Sequence, residues 1–454
     1  MFSAKHQECL ILHSELCILH YKRRLNMSLF STGREKITGK LKNGTSEKNS
    51  YYFAKGSIDL VFLSLVLILF TFGIIMMYSA SYAFSEANKG GSDVLLRSQL
   101  EKGIAGFVIM AVLSKLDYRI LNGRPALIVF FSTVALLVLT LILNIGATDS
   151  QTKRWIQLGP IQLQPSEFAK LALIITLAYM INILQKPLFS KSDKHIRLDF
   201  RKDRLTKAEE RFFSFGTTPF RACVLLAFVI CIFCGLVFLE SHYSCTILLF
   251  TVGVLMLWIS GAKGRYFALV GVAVASVVLI VLTKPEILEG FGFASSRIQS
   301  FINKDTADAD SRYQTVNGLY AIGSGGLLGV GLGNSMQKQL YIPEPQNDFI
   351  FPVICEELGF VGAAAVLILF AVLIARGCRI ALKCRSYFGA LLVMGIMIQV
   401  GIQVIFNIFV VTDIFPNTGI SLPFFSYGGT ALVVLLAEMG MVLSVSRDCN
   451  IEKK

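Results

Sequence analysis

Apolar residues along this chain come in blocks rather than in alternation, and the blocks are nearly as long as a bilayer is thick. Ten can be marked, at 57–82, 103–117, 126–146, 165–185, 220–240, 244–262, 266–284, 349–376, 388–412 and 428–446. A helix needs roughly 20 predominantly apolar residues to cross the hydrocarbon layer, so each block predicts a spanning helix. The second block is short and the eighth is long. A barrel strand would alternate with a period of two, and these blocks do not. The expected fold is therefore an all-α polytopic integral membrane protein of about ten transmembrane helices, with a large extracytoplasmic loop between spans 7 and 8.

Composition agrees with the pattern. The 454 residues are 54% hydrophobic and 16% charged, where a soluble domain carries about 25% charged residues. Mean hydropathy is +0.63. The net charge of +13 does not point to nucleic acid, because the basic residues sit in short flanks between apolar blocks. That distribution sets topology. The loop 186–221 holds ten Lys/Arg against five acidic residues, and Lys263, Arg265, Arg376, Arg379, Lys383 and Arg385 fall on the same side. That side is predicted to be cytoplasmic, with both termini. Residues 1–56 are expected to be a disordered basic cytoplasmic tail, 57–447 the membrane domain and 448–454 a cytoplasmic tail. Leu10–Leu19 is too short and too interrupted for a signal peptide or a span, and Met27 offers an alternative start. The opposite face then carries 83–102, 147–164, 285–348 and 413–427. The ten cysteines include one CxxC pair, Cys231–Cys234, inside an apolar block, which reads as packing rather than as a zinc or redox motif.

Four stretches of the predicted outer face could carry chemistry. KRWIQLGPIQLQPSEFAK (153–170) has a turn at Gly159–Pro160 and a helix-starting proline at Pro165. Glu167 and Lys170, three apart, share a helix face. They read either as an ion pair fixing helix packing or, with Lys153 and Arg154, as groups near an anionic substrate. The glycines at 323–333 form neither a Walker nor a Rossmann motif and permit irregular backbone at membrane depth. Asp305, Asp308 and Asp310 read as a solvated turn rather than a calcium loop. In NIFVVTDIFPNTGISLPFFSYGGT (407–430), proline and glycine break the helix, so that Ser421, Ser426 and Tyr427 either line a cavity or satisfy broken backbone. YIPEPQNDFIFPVICEELG (341–359) places Asp348 at the start of the eighth span, where it is expected to cap the helix. Glu356 and Glu357 lie deeper and are expected to partner buried cations or broken backbone. The five histidines lie mostly in the tail and the cytoplasmic loop, which leaves carboxylates as the available bases.

The blocks KRWIQLGPIQLQPSEFAKL, AIGSGGLLGVGLGNSMQKQLYIPEPQNDFIFPVICEELGFVG and PNTGISLPFFSYGGT resemble, in order, three signatures of the SEDS (shape, elongation, division and sporulation) family, and the NSMQK…YIPE wording is closer to its FtsW branch than to RodA. The resemblance covers roughly 57–447. It implies a peptidoglycan glycosyltransferase that polymerises lipid II at the outer leaflet during cell division. The acceptor sugar's 4-hydroxyl would attack the undecaprenyl-diphosphate-linked donor. Asp348, in NDFIF, matches the family's catalytic aspartate and is implied to be the base. Lys153, Arg154, Lys170, Arg297, Arg312 and Lys338 are the candidates to hold the leaving diphosphate, with Glu167 and Ser426 also assigned to substrate binding. No residue is singled out as a metal ligand, although a divalent cation, Mg2+ or Mn2+, is left open as cofactor. The implied partners are lipid II, a class B penicillin-binding protein transpeptidase contacting spans 8 and 9 and loop 285–348, and other division-machinery proteins. The implied location is the bacterial inner membrane at the septum. Four features depart from the family pattern: Gln346–Asn347 for His-Thr, Glu240–Thr246 for a Gln-Pro-Asp motif, Asp413 where glycine is common, and Glu438 inside the last span. Two other readings remain, a lipid II flippase and a non-catalytic scaffold of the division machinery.

Overall fold

Each apolar block is the centre of a long helix in the computed structural model, which describes residues 56–144, 154–158, 161–188, 207–283, 301 and 309–449. In chain order the longer helices are α1 (Leu60–Lys89), α2 (Val94–Lys115), α3 (Arg124–Leu143), α4 (Pro165–Ile183), α5 (Pro219–Leu239), α6 (Tyr243–Ile259) and α7 (Gly264–Thr283). They continue with α8 (Ala309–Ser324), α9 (Ile350–Lys383), α10 (Tyr387–Val411) and α11 (Gly429–Cys449). Seven of the described helices, α1, α3, α4, α5, α9, α10 and α11, are long and apolar enough to cross a membrane. The protein is an all-α polytopic membrane protein. The predicted N-terminal tail, Lys153, Arg297, Asp305 and Asp308 lie outside the described residues.

Local chemistry explains where the helices start and stop. The Asp59 carboxylate accepts the Phe62 N–H at 2.9 Å and caps α1, whereas Pro165 opens α4 at a position that needs no N–H donor. One short hairpin was not expected. Strands β1 (Ile156–Leu158) and β2 (Ile161–Leu163) pair antiparallel, with Ile156 opposite Leu163. The Ile-Gln-Leu alternation on both sides of Gly159–Pro160 is the period-two pattern that produces it.

Burial separates inner helices from outer ones. In α4 and α11, 78% of the apolar window is buried within the bundle, against 22% in α3. Helices α2 and α11 pack closely because glycines face the partner: a Cβ at Gly440 would stand 2.7 Å from the Met110 carbonyl oxygen, and one at Gly106 2.5 Å from Leu436. Ion pairs fasten the end predicted to be cytoplasmic, Arg376 to Asp59 and Arg119 to Asp448, each at 2.7 Å.

The long helix α9 is broken at Gly359, whose φ of 64° and ψ of −169° suit only glycine. The loop after α8 repairs the break. Val330 and Gly331 donate N–H to the Glu356 and Glu357 carbonyls at 2.9 and 3.0 Å, and Phe360 and Val361 donate to the Gly326 and Leu327 carbonyls at 2.9 and 3.1 Å. Backbone freed inside a membrane is thus re-satisfied by backbone, as a hydrocarbon setting demands. The side chains complete the joint. Glu356 accepts from the Ser335 hydroxyl and from Met336 N–H at 2.9 Å, and Glu357 holds Lys338 Nζ at 2.6 Å and Ser79 Oγ at 2.7 Å.

Candidate functional site

Helices α4, α10 and α11 surround a cavity of about 580 Å³ that also takes in the loop before α9 and the broken segment between α10 and α11. It lies at the end of the bundle where α4, α9 and α11 begin and α10 ends. Half-buried Asp348 lines it, with Glu344 and Asn347 in the same lining. The helix it precedes is capped at Phe349 and takes no side-chain cap, so Asp348 is not the N-cap residue expected from the sequence. What positions it is backbone. Asn407 of α10 donates its amide to the Asp348 carbonyl at 2.8 Å and to the Ile420 carbonyl at 2.7 Å. Tyr427 N–H meets the Gln346 carbonyl at 2.8 Å. Two loops far apart in sequence are thereby fixed to each other, and the Asp348 carboxylate lies against Gly419, 3.5 Å from where a Cβ would stand.

The wall carries the cations. The Arg154 guanidinium donates to the Ser241 carbonyl at 2.7 Å. Lys102 of α2 lies over the Tyr427 ring, with Nζ 5.1 Å from its centroid and 3.4 Å from its hydroxyl. Deeper, Lys170 and Glu167 form a buried pair at 2.7 Å. Below it Gln399 donates to both oxygens of Glu438, at 2.8 and 3.0 Å. Beside the wall, the His242 ring nitrogen Nδ1 is 3.0 Å from Ser166 Oγ. Burial, helped by the charges of Arg154 and Lys170, pushes that imidazole down to about 3, so it is neutral at pH 7. The neighbouring Glu240 is fully buried, and among the described residues neither of its oxygens meets a hydrogen-bond donor. Desolvation raises its carboxyl to about 8 against the pull of Arg154.

The sequence-derived candidates sort as follows. Asp348, Arg154, Glu167, Lys170 and Ser426 line this one cavity. Ser426 also has a backbone task, since its hydroxyl accepts the Leu422 N–H at 2.7 Å. Lys338 is not brought to the cavity: it is 2% exposed and bound to Glu357 in the α9 joint. Arg312 pairs with Asp413 at 3.6 Å, also off the lining. Among the described residues no three His, Cys, Asp or Glu side chains gather as a metal site.

The sequence reading missed Lys102, Trp155, Gln399, Gln403 and Asn407, all at the cavity or holding its loops. The signal for three of them was present. Gln399, Gln403 and Asn407 fall at spacing four along an otherwise apolar helix, which makes a polar stripe on one face.

Fold and site define a polytopic membrane protein with a polar, charge-lined cavity at one end of its bundle. The chain belongs to the cell cycle protein family of FtsW, RodA and SpoVE, whose sequence model matches residues 59–451. It is 36% identical to stage V sporulation protein E of Bacillus subtilis over 397 residues, covering 87% of this chain and 98% of that one. It is 34% identical over 395 residues to a probable peptidoglycan glycosyltransferase FtsW of Trichlorobacter lovleyi, covering 87% and 94%. Among solved structures, a chain of a peptidoglycan synthase complex that coordinates polymerisation and crosslinking superposes with a TM-score of 0.64 at 25% identity, covering 87% of this chain and 99% of that one. Thermus thermophilus RodA, a rod shape determining protein, does so with 0.57 at 25%, covering 87% and 98%.

Proposed function

We propose that this protein is a peptidoglycan glycosyltransferase that polymerises lipid II at the outer leaflet of the bacterial inner membrane during division. The observation that carries the reading is the meeting of Asp348, Arg154 and the Glu167–Lys170 pair in one cavity, from two stretches of sequence far apart in the chain. Inverting transfer from a sugar diphosphate needs one base for the attacking hydroxyl and positive charge for the departing diphosphate. Asp348 takes the proton of the acceptor 4-hydroxyl, and the wall cations receive the charge that develops on the diphosphate. The relatives named as probable peptidoglycan glycosyltransferases support the activity, and the likeness to a synthase complex that couples polymerisation to crosslinking supports a class B penicillin-binding protein as partner. The basic flanks at the far end support cytoplasmic termini.

The test is lipid II polymerisation by the purified protein with its transpeptidase partner, wild type beside Asp348→Ala. Glycan strands from the wild type and none from the variant are expected. Normal strand synthesis by Asp348→Ala would remove the carboxylate from the mechanism.

A further inference from the structure

The lining cations are not equivalent. Lys170 is committed to Glu167 at 2.7 Å, and Arg154 spends a guanidinium nitrogen on the Ser241 carbonyl while its charge faces Glu240 and His242. Lys102 is different: its contacts among the described residues are to neutral groups, the Tyr427 ring and hydroxyl. Its place is also defined. The lysine stem crosses Gly429, where a Cβ would stand 2.5 Å from Cδ and 2.9 Å from Nζ, so any side chain at 429 would push the ammonium aside. Among the described residues this half-buried lysine has no carboxylate partner, so at the polar end of a membrane bundle its charge is open to an anionic ligand.

We infer that Lys102 is a diphosphate-binding residue of the cavity, holding the anionic head of a polyprenyl-diphosphate-linked donor, with the Tyr427 ring and hydroxyl fixing the ammonium. This rests on the reading above that a lipid-linked sugar diphosphate is the substrate, and it assigns the contact to a residue of α2 that no motif in the sequence marks. Lysine suits the task as a point charge that follows a moving phosphate, where arginine would favour one bidentate pose.

Binding can be read without turnover. Trp155 lies in the cavity wall and Trp258, the second of the chain's two tryptophans, is on α6, so Trp258→Phe leaves Trp155 as reporter. The full-length protein in detergent is titrated with undecaprenyl diphosphate and with undecaprenol, and the first titration is repeated with inorganic diphosphate or phosphatidylglycerol as competitor. Loss of a charge-assisted contact predicts that Lys102→Met weakens undecaprenyl diphosphate about tenfold, with Lys102→Arg close to wild type. Undecaprenol binding should be unchanged in all three, which also shows that the variants are folded. Competition by inorganic diphosphate in the wild type, weakened in Lys102→Met, supports a site that reads the diphosphate. Equal affinity of wild type and Lys102→Met for undecaprenyl diphosphate overturns the assignment, as does parallel loss of undecaprenol. Phosphatidylglycerol competing as well as undecaprenyl diphosphate overturns it in favour of a bilayer phospholipid. Polymerisation assays separate this proposal from the function it rests on. Glycan synthesis with an unchanged KM in Lys102→Met sinks Lys102 alone, whereas Lys102-dependent binding by a wild type that makes no glycan sinks the polymerase.

Discussion

Among the described residues two buried lysine–glutamate pairs have nearly equal length, and they serve opposite ends. Lys338 and Glu357 meet at 2.6 Å and Lys170 and Glu167 at 2.7 Å, with all four side chains at or below 10% exposure. The first pair is shut inside the joint that repairs α9, with the Ser79 hydroxyl as its other hydrogen-bond partner. The second borders the cavity, with Gln399, Glu438 and Cys245 along the same lining. Distance and burial do not tell them apart. What does is the third neighbour: a closed backbone knot in one case, a polar space large enough for ligand or water in the other. A buried pair is weak evidence of stabilisation in itself, but removing one partner leaves an uncompensated charge. How much that costs depends on whether water can reach the survivor.

The enclosed pair should show the larger structural effect. Lys338→Met leaves Glu357 charged and dry, a loss of about 3–5 kcal/mol. That is comparable with the whole stability of many domains, so little folded protein should be recovered from membranes in a fluorescence-detected size-exclusion assay. The double variant Lys338→Met/Glu357→Leu removes both charges and should recover much of the yield. If the single variant is as stable as wild type, the joint is not held by this pair.

The cavity pair should behave in reverse. In Lys170→Met, Glu167 keeps access to a polar space, so the melting temperature should fall by only a few degrees. Polymerisation should drop by about a hundredfold, the scale for losing one electrostatic group beside a reacting centre. Measuring both on the same preparation sharpens the contrast between the pairs. A variant that melts early yet retains full specific activity would make Lys170 a packing residue like Lys338.

The sequence made the fold legible, because blocks of bilayer length have few alternatives. It also made legible which segments gather at one end, since the stretches 153–170, 341–359 and 407–430 each combine proline or glycine with charges or hydroxyls on the same predicted face. It did not distinguish the two lysines. Lys338 sits in a polar, glycine-rich stretch that looks like an accessible loop, and only the break at Gly359 reveals that this stretch is folded inward against α9. Lys102 was overlooked for the opposite reason. It follows Arg97 and Glu101 in what resembles a solvated flank, and its approach to Tyr427 depends on α2 packing against α11, a contact made through glycines that carry no periodic signal. The carboxylates were easier: Asp348 was separated from Glu356 and Glu357 by depth along one helix, and the structure places the latter two in the joint.

Glu240 is a third kind of buried carboxylate, with a cation near but no hydrogen bond among the described residues, and it sharpens the comparison most gently. Its carboxyl titrates at about 8 rather than 4.5, burial outweighing Arg154. Between those values an unfolded chain has released the proton that the folded protein keeps. Stability is therefore lost as pH rises from 4.5 to 8 and is flat above. His242 acts in the other direction at lower pH: with its ring at about 3 instead of 6.5, its contribution is gained as pH rises through that interval and is constant beyond it. The window from pH 7 to 9 thus reports Glu240 without interference from His242. Glutamine fills the same space and carries no titrating proton. Melting temperatures of wild type and Glu240→Gln in detergent should differ by a constant below pH 4, diverge by a few degrees in favour of the variant as pH rises to 8, and run parallel again above it. Parallel curves would mean that Arg154 already neutralises Glu240 as an ion pair, and the three carboxylates would then reduce to a single type.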